Sequence, residues 1–71
     1  MITSDQLSNW FTYHSPSPDQ LPKYQAIRDA GLALAKAIVE NSPSSADQTA
    51  AVRHVREACM TANAAIACGG K

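Results

Sequence analysis

One turn constrains this chain more than any other feature. The segment Val39-Glu40-Asn41-Ser42-Pro43-Ser44-Ser45-Ala46-Asp47 separates two alanine-rich stretches of helical periodicity, and so folds them back on each other as an antiparallel hairpin. Asn41 can take the left-handed conformation that closes a helix, and Pro43 blocks its continuation. Ser45 followed three residues later by Gln48 has the pattern of a capping box that opens the second helix. Two such helices enclose too little core for a conventional enzyme, so function lies in what the hairpin packs against or holds.

The periodicity locates the seam. Tyr24, Ile27, Gly31, Leu34 and Ile38 step by 3, 4, 3 and 4 along the first long helix, expected over residues 20–40. Val52, Val55, Cys59, Ala62 and Ile66 repeat the rhythm in the second, expected over 45–67. A glycine inside a helix costs about 1 kcal/mol relative to alanine, so Gly31 in the seam predicts a close approach of backbone or side chain. Ala26, Ala30, Ala33 and Ala37 flank one seam and Ala51, Ala58 and Ala65 the other, the pattern of helices contacted on more than one side. Ahead of the hairpin, residues 3–12 predict a short helix capped by Ser4, with Leu7, Trp10 and Phe11 on one face. Residues 13–18, Tyr13-His14-Ser15-Pro16-Ser17-Pro18, predict a rigid elbow, because two prolines force extended or turn geometry. Asp19 is the expected cap of the first long helix, with Pro22 in its first turn, and Gly69 and Gly70 stop the second. The fold class is therefore all-α, a single domain over residues 1–71 with a short N-terminal helix and a two-helix hairpin.

A scaffold of 71 residues built on one seam needs a staple. Cys59 and Cys68 lie on one helix, roughly 13 Å apart in axial rise, beyond the reach of a disulfide. His14 and His54 have no acidic or thiol cluster at metal-ligand spacing, so no metal or other cofactor is expected. Association is the remaining remedy, and a helical homo-oligomer is predicted. Six Lys+Arg balance six Asp+Glu, which removes the long-range attraction expected of a DNA binder. The apolar runs fall far short of the ~20 residues that span a bilayer, and the first residues lack the regions of a signal peptide, so the expected location is the cytoplasm.

No residue places a nucleophile beside a base, and a non-enzymatic role is predicted. Cys59, at a seam position, reads as a small hydrophobe and not a reactive thiol. Tyr13, His14, Lys23, Arg28 and Arg56 form a different kind of set, an aromatic platform on a stiff elbow with cations on the helices. An aromatic face stacks on a nucleobase for about 1–3 kcal/mol, and arginine grips phosphate bidentately. The same residues allow a plainer role, with Tyr13 packed on the hairpin and Arg28 paired with Asp29, Glu40 or another subunit. Asn63, one residue from the seam, reads first as a structural residue that satisfies a neighbouring backbone group or fixes the register of the helices.

Tyr13-His14-Ser15-Pro16, Lys23-Tyr24-Gln25-Ala26-Ile27-Arg28, Asn41-Ser42-Pro43 and Val55-Arg56-Glu57-Ala58-Cys59-Met60-Thr61-Ala62-Asn63-Ala64-Ala65-Ile66-Ala67 stand in one order along the chain. In this it resembles a family of small phage and prophage hairpin proteins, among them the cyclic-nucleotide sponges that counter CBASS, the bacterial cyclic-oligonucleotide antiphage signalling system. The resemblance implies a helical homo-oligomer, typically a hexamer, that sequesters cyclic dinucleotides such as cyclic GMP-AMP in the host cytoplasm without cleaving them. It implies that Tyr13 stacks on a base and that Arg28 binds phosphate, with His14, Pro16 and Lys23 beside them. Some members also hold cyclic trinucleotides at threefold subunit contacts. The second helix here ends in Ala67-Cys68-Gly69-Gly70, which offers that pocket no arginine. The rival expectation is a structural or protein-interaction oligomer whose alanine stripes bind a helix.

Overall fold

Three helices account for the fold. The computed structural model describes residues 1–71, with α1 at Ser4–Trp10, α2 at Leu21–Asn41 and α3 at Ala46–Ala67. The all-α hairpin predicted from the turn is the fold observed. Helices α2 and α3 pack antiparallel along their length, and α1 lies beside the end of α3, held by hydrogen bonds from Asn9 and Trp10.

The turn works by a different device from the one expected. Asn41 stays helical, no residue other than glycine has positive φ, and Ser42 ends α2 in extended backbone. Ser45 accepts from the Gln48 N–H at 3.1 Å as a cap should. The Gln48 side chain, however, does not return to the Ser45 N–H. Its Nε2 donates to the Ser42 carbonyl at 2.9 Å, to Ser42 Oγ at 3.2 Å and to the Val39 carbonyl at 3.3 Å. It thereby satisfies C-terminal carbonyls of α2 that would otherwise lack partners. A full capping box does form at α1, around Thr3 and Gln6 and not Ser4. Asp19 likewise does not cap α2. Gln20 occupies the cap position in helical geometry with no side-chain cap bond, because its amide oxygen turns back to accept from the Ser17 N–H at 3.0 Å. At the far end Gly69 and Gly70 have φ of 67° and 76°, and their N–H groups bond the carbonyls of Ile66 and Ala65, closing α3 as a Schellman motif.

The seam itself differs at one position. Tyr24, Ile27, Gly31, Ala35 and Ile38 are the half-buried residues of α2 facing Val52, Val55, Cys59, Ala62 and Ile66. Leu34 is 53 % exposed, and Ala35 takes the place expected for it. Both registers satisfy helical periodicity, and the small side chain wins where the backbones approach closely. A β-carbon added at Gly31 would overlap Cys59 Sγ, and the Cys59 thiol donates to the Ile27 carbonyl at 3.8 Å.

No residue of the chain is buried, and the slab measures 44 × 31 × 15 Å. Its accessible surface is 5623 Å², against roughly 4,200 Å² for a folded monomer of this mass. One helical layer has no second layer to bury its faces against.

Candidate ligand site

The two flanks of the hairpin carry different chemistry. On one, Arg28, Leu32, Arg56, Met60 and Asn63 line a groove of about 350 Å³ that runs across α2 and α3. On the other, Ala30, Leu34, His54, Ala58 and Ala62 line a shallower apolar groove of about 500 Å³. Helical spacing builds the first: Arg28, Leu32 and Ala35 descend one flank of α2, and Val52, Arg56, Met60 and Asn63 descend the matching flank of α3.

Arg28 takes neither of the carboxylate partners its neighbourhood offers. Its Nη1 donates to Gln25 Oε1 at 3.1 Å, and Gln25 in turn donates to Asp29 Oδ1 at 2.7 Å. The guanidinium is thus oriented by a neutral amide, with no carboxylate within ion-pair distance. Arg56 also has no ion pair, the one such contact in the chain being His54–Glu57 at 3.8 Å between exposed side chains. Two guanidinium groups without carboxylate partners on one apolar groove have the chemistry to pair with an anion that presents its own apolar faces.

Asn63 departs from its expected role. Its Oδ1 is buried with no hydrogen-bond partner in the chain. Burying a carbonyl without a donor costs about 1–3 kcal/mol, so a residue expected to satisfy the backbone is itself unsatisfied.

The elbow stands apart from this groove. Tyr13 is 84 % exposed and makes no hydrogen bond, so the packed role open to it in the sequence is not the one it takes. His14 is half-buried and donates from Nε2 to the Asn9 carbonyl at 2.6 Å. In a continuing helix that carbonyl would accept the Tyr13 N–H, so the imidazole ends α1 two residues earlier than the apolar pattern indicated. Thr12 helps by turning its hydroxyl back onto the Ser8 carbonyl. Pro16 and Lys23 are exposed, and Ser17 closes the elbow against Gln20 through reciprocal bonds of 3.0 Å. The Ser17 hydroxyl also binds the Asp19 carboxylate, and together with the Asp19 N–H and the charge of Lys23 it holds that carboxyl below its ordinary 3.8.

Of the five predicted site residues, then, the fold puts Arg28 on the groove and leaves Tyr13, His14, Pro16 and Lys23 off its walls. Arg56 joins Arg28 there. The part of Asn63 was not anticipated, although its spacing of seven residues from Arg56 places both on one flank of α3. No three His, Cys, Asp or Glu side chains come together as a metal site, and no helix is long and apolar enough to cross a membrane.

Residues 4–67 match the family model described as "Acb2/Tad1, hairpin domain", which takes in α1, the elbow with Tyr13, and both long helices. No curated protein and no solved structure matches the chain.

Proposed function

The chain belongs to the Acb2/Tad1 hairpin family, and on that premise we propose that it is a non-enzymatic sponge for cyclic dinucleotides such as cyclic GMP-AMP. In the host cytoplasm it lowers the free concentration of the messenger and so silences CBASS signalling. The observation that carries this reading is the distribution of Arg28, Arg56 and Tyr13. Two guanidinium groups without carboxylate partners share one apolar groove, and an exposed aromatic ring stands on an elbow outside it. A cyclic dinucleotide needs both: cations for two phosphates and flat surfaces for two bases.

One chain does not bring the ring to the groove. A second chain does so if its elbow covers the groove of the first, and the pocket then lies between subunits of a homo-oligomer, of which the hexamer is the form we favour. The absence of any buried residue supports association, since a chain with this much exposed apolar surface gains most from a partner. Cyclic dinucleotides are the ligand class we favour over cyclic trinucleotides, since the end of α3, Cys68-Gly69-Gly70, supplies no arginine for a trinucleotide pocket.

The alternative is a helix-packing oligomer with no nucleotide ligand, favoured by the apolar Ala30–Ala58 groove. A melting experiment separates the two. A ligand that binds only the folded state adds about 2.7 kcal/mol of stability at a hundredfold excess over Kd, so cyclic GMP-AMP raises the Tm under the first reading and leaves it unchanged under the second. Ligand recovered from the complex is chemically intact; linear product accumulating on long incubation makes the protein an enzyme instead.

A further inference from the structure

The position of Tyr13 has to come from its neighbours, because its own side chain contacts nothing that would hold it. The prolines stiffen the elbow without saying where it points. On the C-terminal side the Ser17–Gln20 pair ties it to the start of α2. On the N-terminal side it continues into α1, where Leu7 and Trp10, and Phe11 just beyond the helix, are all exposed and bury too little to anchor it by packing alone.

What anchors α1 is a short run of hydrogen bonds to the end of α3. Asn9 Nδ2 donates to the Cys68 carbonyl at 3.1 Å, and the Trp10 indole N–H donates to the Lys71 carbonyl at 3.3 Å. These acceptors are available because Gly69 and Gly70, with positive φ, fold the chain over the end of the helix while their own N–H groups satisfy the Ile66 and Ala65 carbonyls. Asn9 is the one residue bonded in both directions. Its side chain reaches α3, and its backbone carbonyl accepts from the His14 imidazole at 2.6 Å. His14 is the residue next to Tyr13.

We propose that Asn9 is a positioning residue for Tyr13: it splints the elbow to the glycine-capped end of α3, so that the stacking ring is held in place before a ligand arrives. The inference rests on the cyclic-dinucleotide reading of Tyr13. Its physical content is preorganisation, since a ring held by α1 and Asn9 need not be ordered at the moment of binding.

The test uses Trp10, the only tryptophan of the chain, as a ligand-independent report on α1. Asn9→Asp keeps the side-chain volume and replaces the donor with an acceptor facing a carbonyl. Asn9→Ala removes the donor without adding charge, and serves should the aspartate disturb folding. Each variant is expected to keep wild-type helicity and assembly mass while acrylamide quenching of Trp10 increases. Affinity for cyclic GMP-AMP falls roughly threefold to tenfold, the size of one lost neutral hydrogen bond. In a Tyr13→Ala background the same substitutions change affinity by less than about twofold, since the ring they position is gone. Unchanged quenching shows that Asn9 does not hold α1 and overturns the proposal, as does increased quenching with undiminished affinity, or an equal loss with and without Tyr13. If the wild-type protein binds no cyclic dinucleotide, the ligand reading fails first, a result distinguishable from the others because quenching still reports the splint.

Discussion

Gly31 and Cys59 face each other across the hairpin, where the glycine α-carbon leaves the cysteine sulfur room that a methyl group would take. Alanine at Gly31 gains about 1 kcal/mol in helix propensity but meets Cys59 Sγ, and overpacking costs about 1–3 kcal/mol. Gly31→Ala is therefore expected to lower stability or leave it level in denaturant unfolding. Combined with Cys59→Ala it should be clearly less harmful, because the atom it collides with is gone. Additive effects of the two changes would show that the contact does not set the interhelix distance.

Ala58 tests association. It lies exposed on the apolar groove of the single chain, where a large side chain has open space, whereas in an oligomer that buries this flank it overpacks a contact by about 1–3 kcal/mol. Light scattering at micromolar concentration should give a mass well above 7.5 kDa for the wild type and smaller species for Ala58→Phe. A wild-type mass near 7.5 kDa refutes the oligomer.

Tyr13→Ala and Arg28→Ala should each weaken cyclic GMP-AMP binding by about 1–3 kcal/mol, through lost stacking and a lost charge-assisted phosphate bond. Arg56→Ala should act in the same direction, since it shares the Arg28 groove. Calorimetry showing wild-type affinity in both Tyr13→Ala and Arg28→Ala would make these residues structural.

Gln48 is expected to matter more than an ordinary helix-start residue, because its amide serves carbonyls at the end of the other helix. Gln48→Ala should cost about 1–2 kcal/mol, and Ser45→Ala about 1 kcal/mol for its cap. A change within a few tenths in equilibrium unfolding of Gln48→Ala would mean that solvent replaces those bonds without loss.

Asp19 gives the elbow a pH signature. Its pKa is depressed, first by the Ser17 hydroxyl, so its contribution is complete above pH 3.8 and is lost as pH falls through the lower folded-state value. An NMR titration of its carboxyl should give a midpoint below 3.8, and Ser17→Ala should raise that midpoint. A wild-type midpoint at or above 3.8 contradicts the hydrogen bond.

Local chemistry written in the sequence was enough for the all-α class, the hairpin turn at Ser42-Pro43, the Ser45 cap, the stop at Gly69-Gly70 and the close approach at Gly31. Each depends on a backbone property of one residue or on a period of 3.6, and neither needs knowledge of distant parts of the chain. Only the tertiary structure decided between Leu34 and Ala35, because both satisfy the period and the choice depends on how near α3 comes. The same holds for Gln48, whose amide could return to its own cap or cross to α2, and for Asn9, whose partner at Cys68 lies at the other end of the chain. For the candidate site, residue types pointed to Tyr13, His14, Lys23, Arg28 and Arg56, while the packing put only Arg28 and Arg56 on the groove and left the others off it. A hydrogen bond's partner is set by position in space, and sequence spacing carries that information only within one helix.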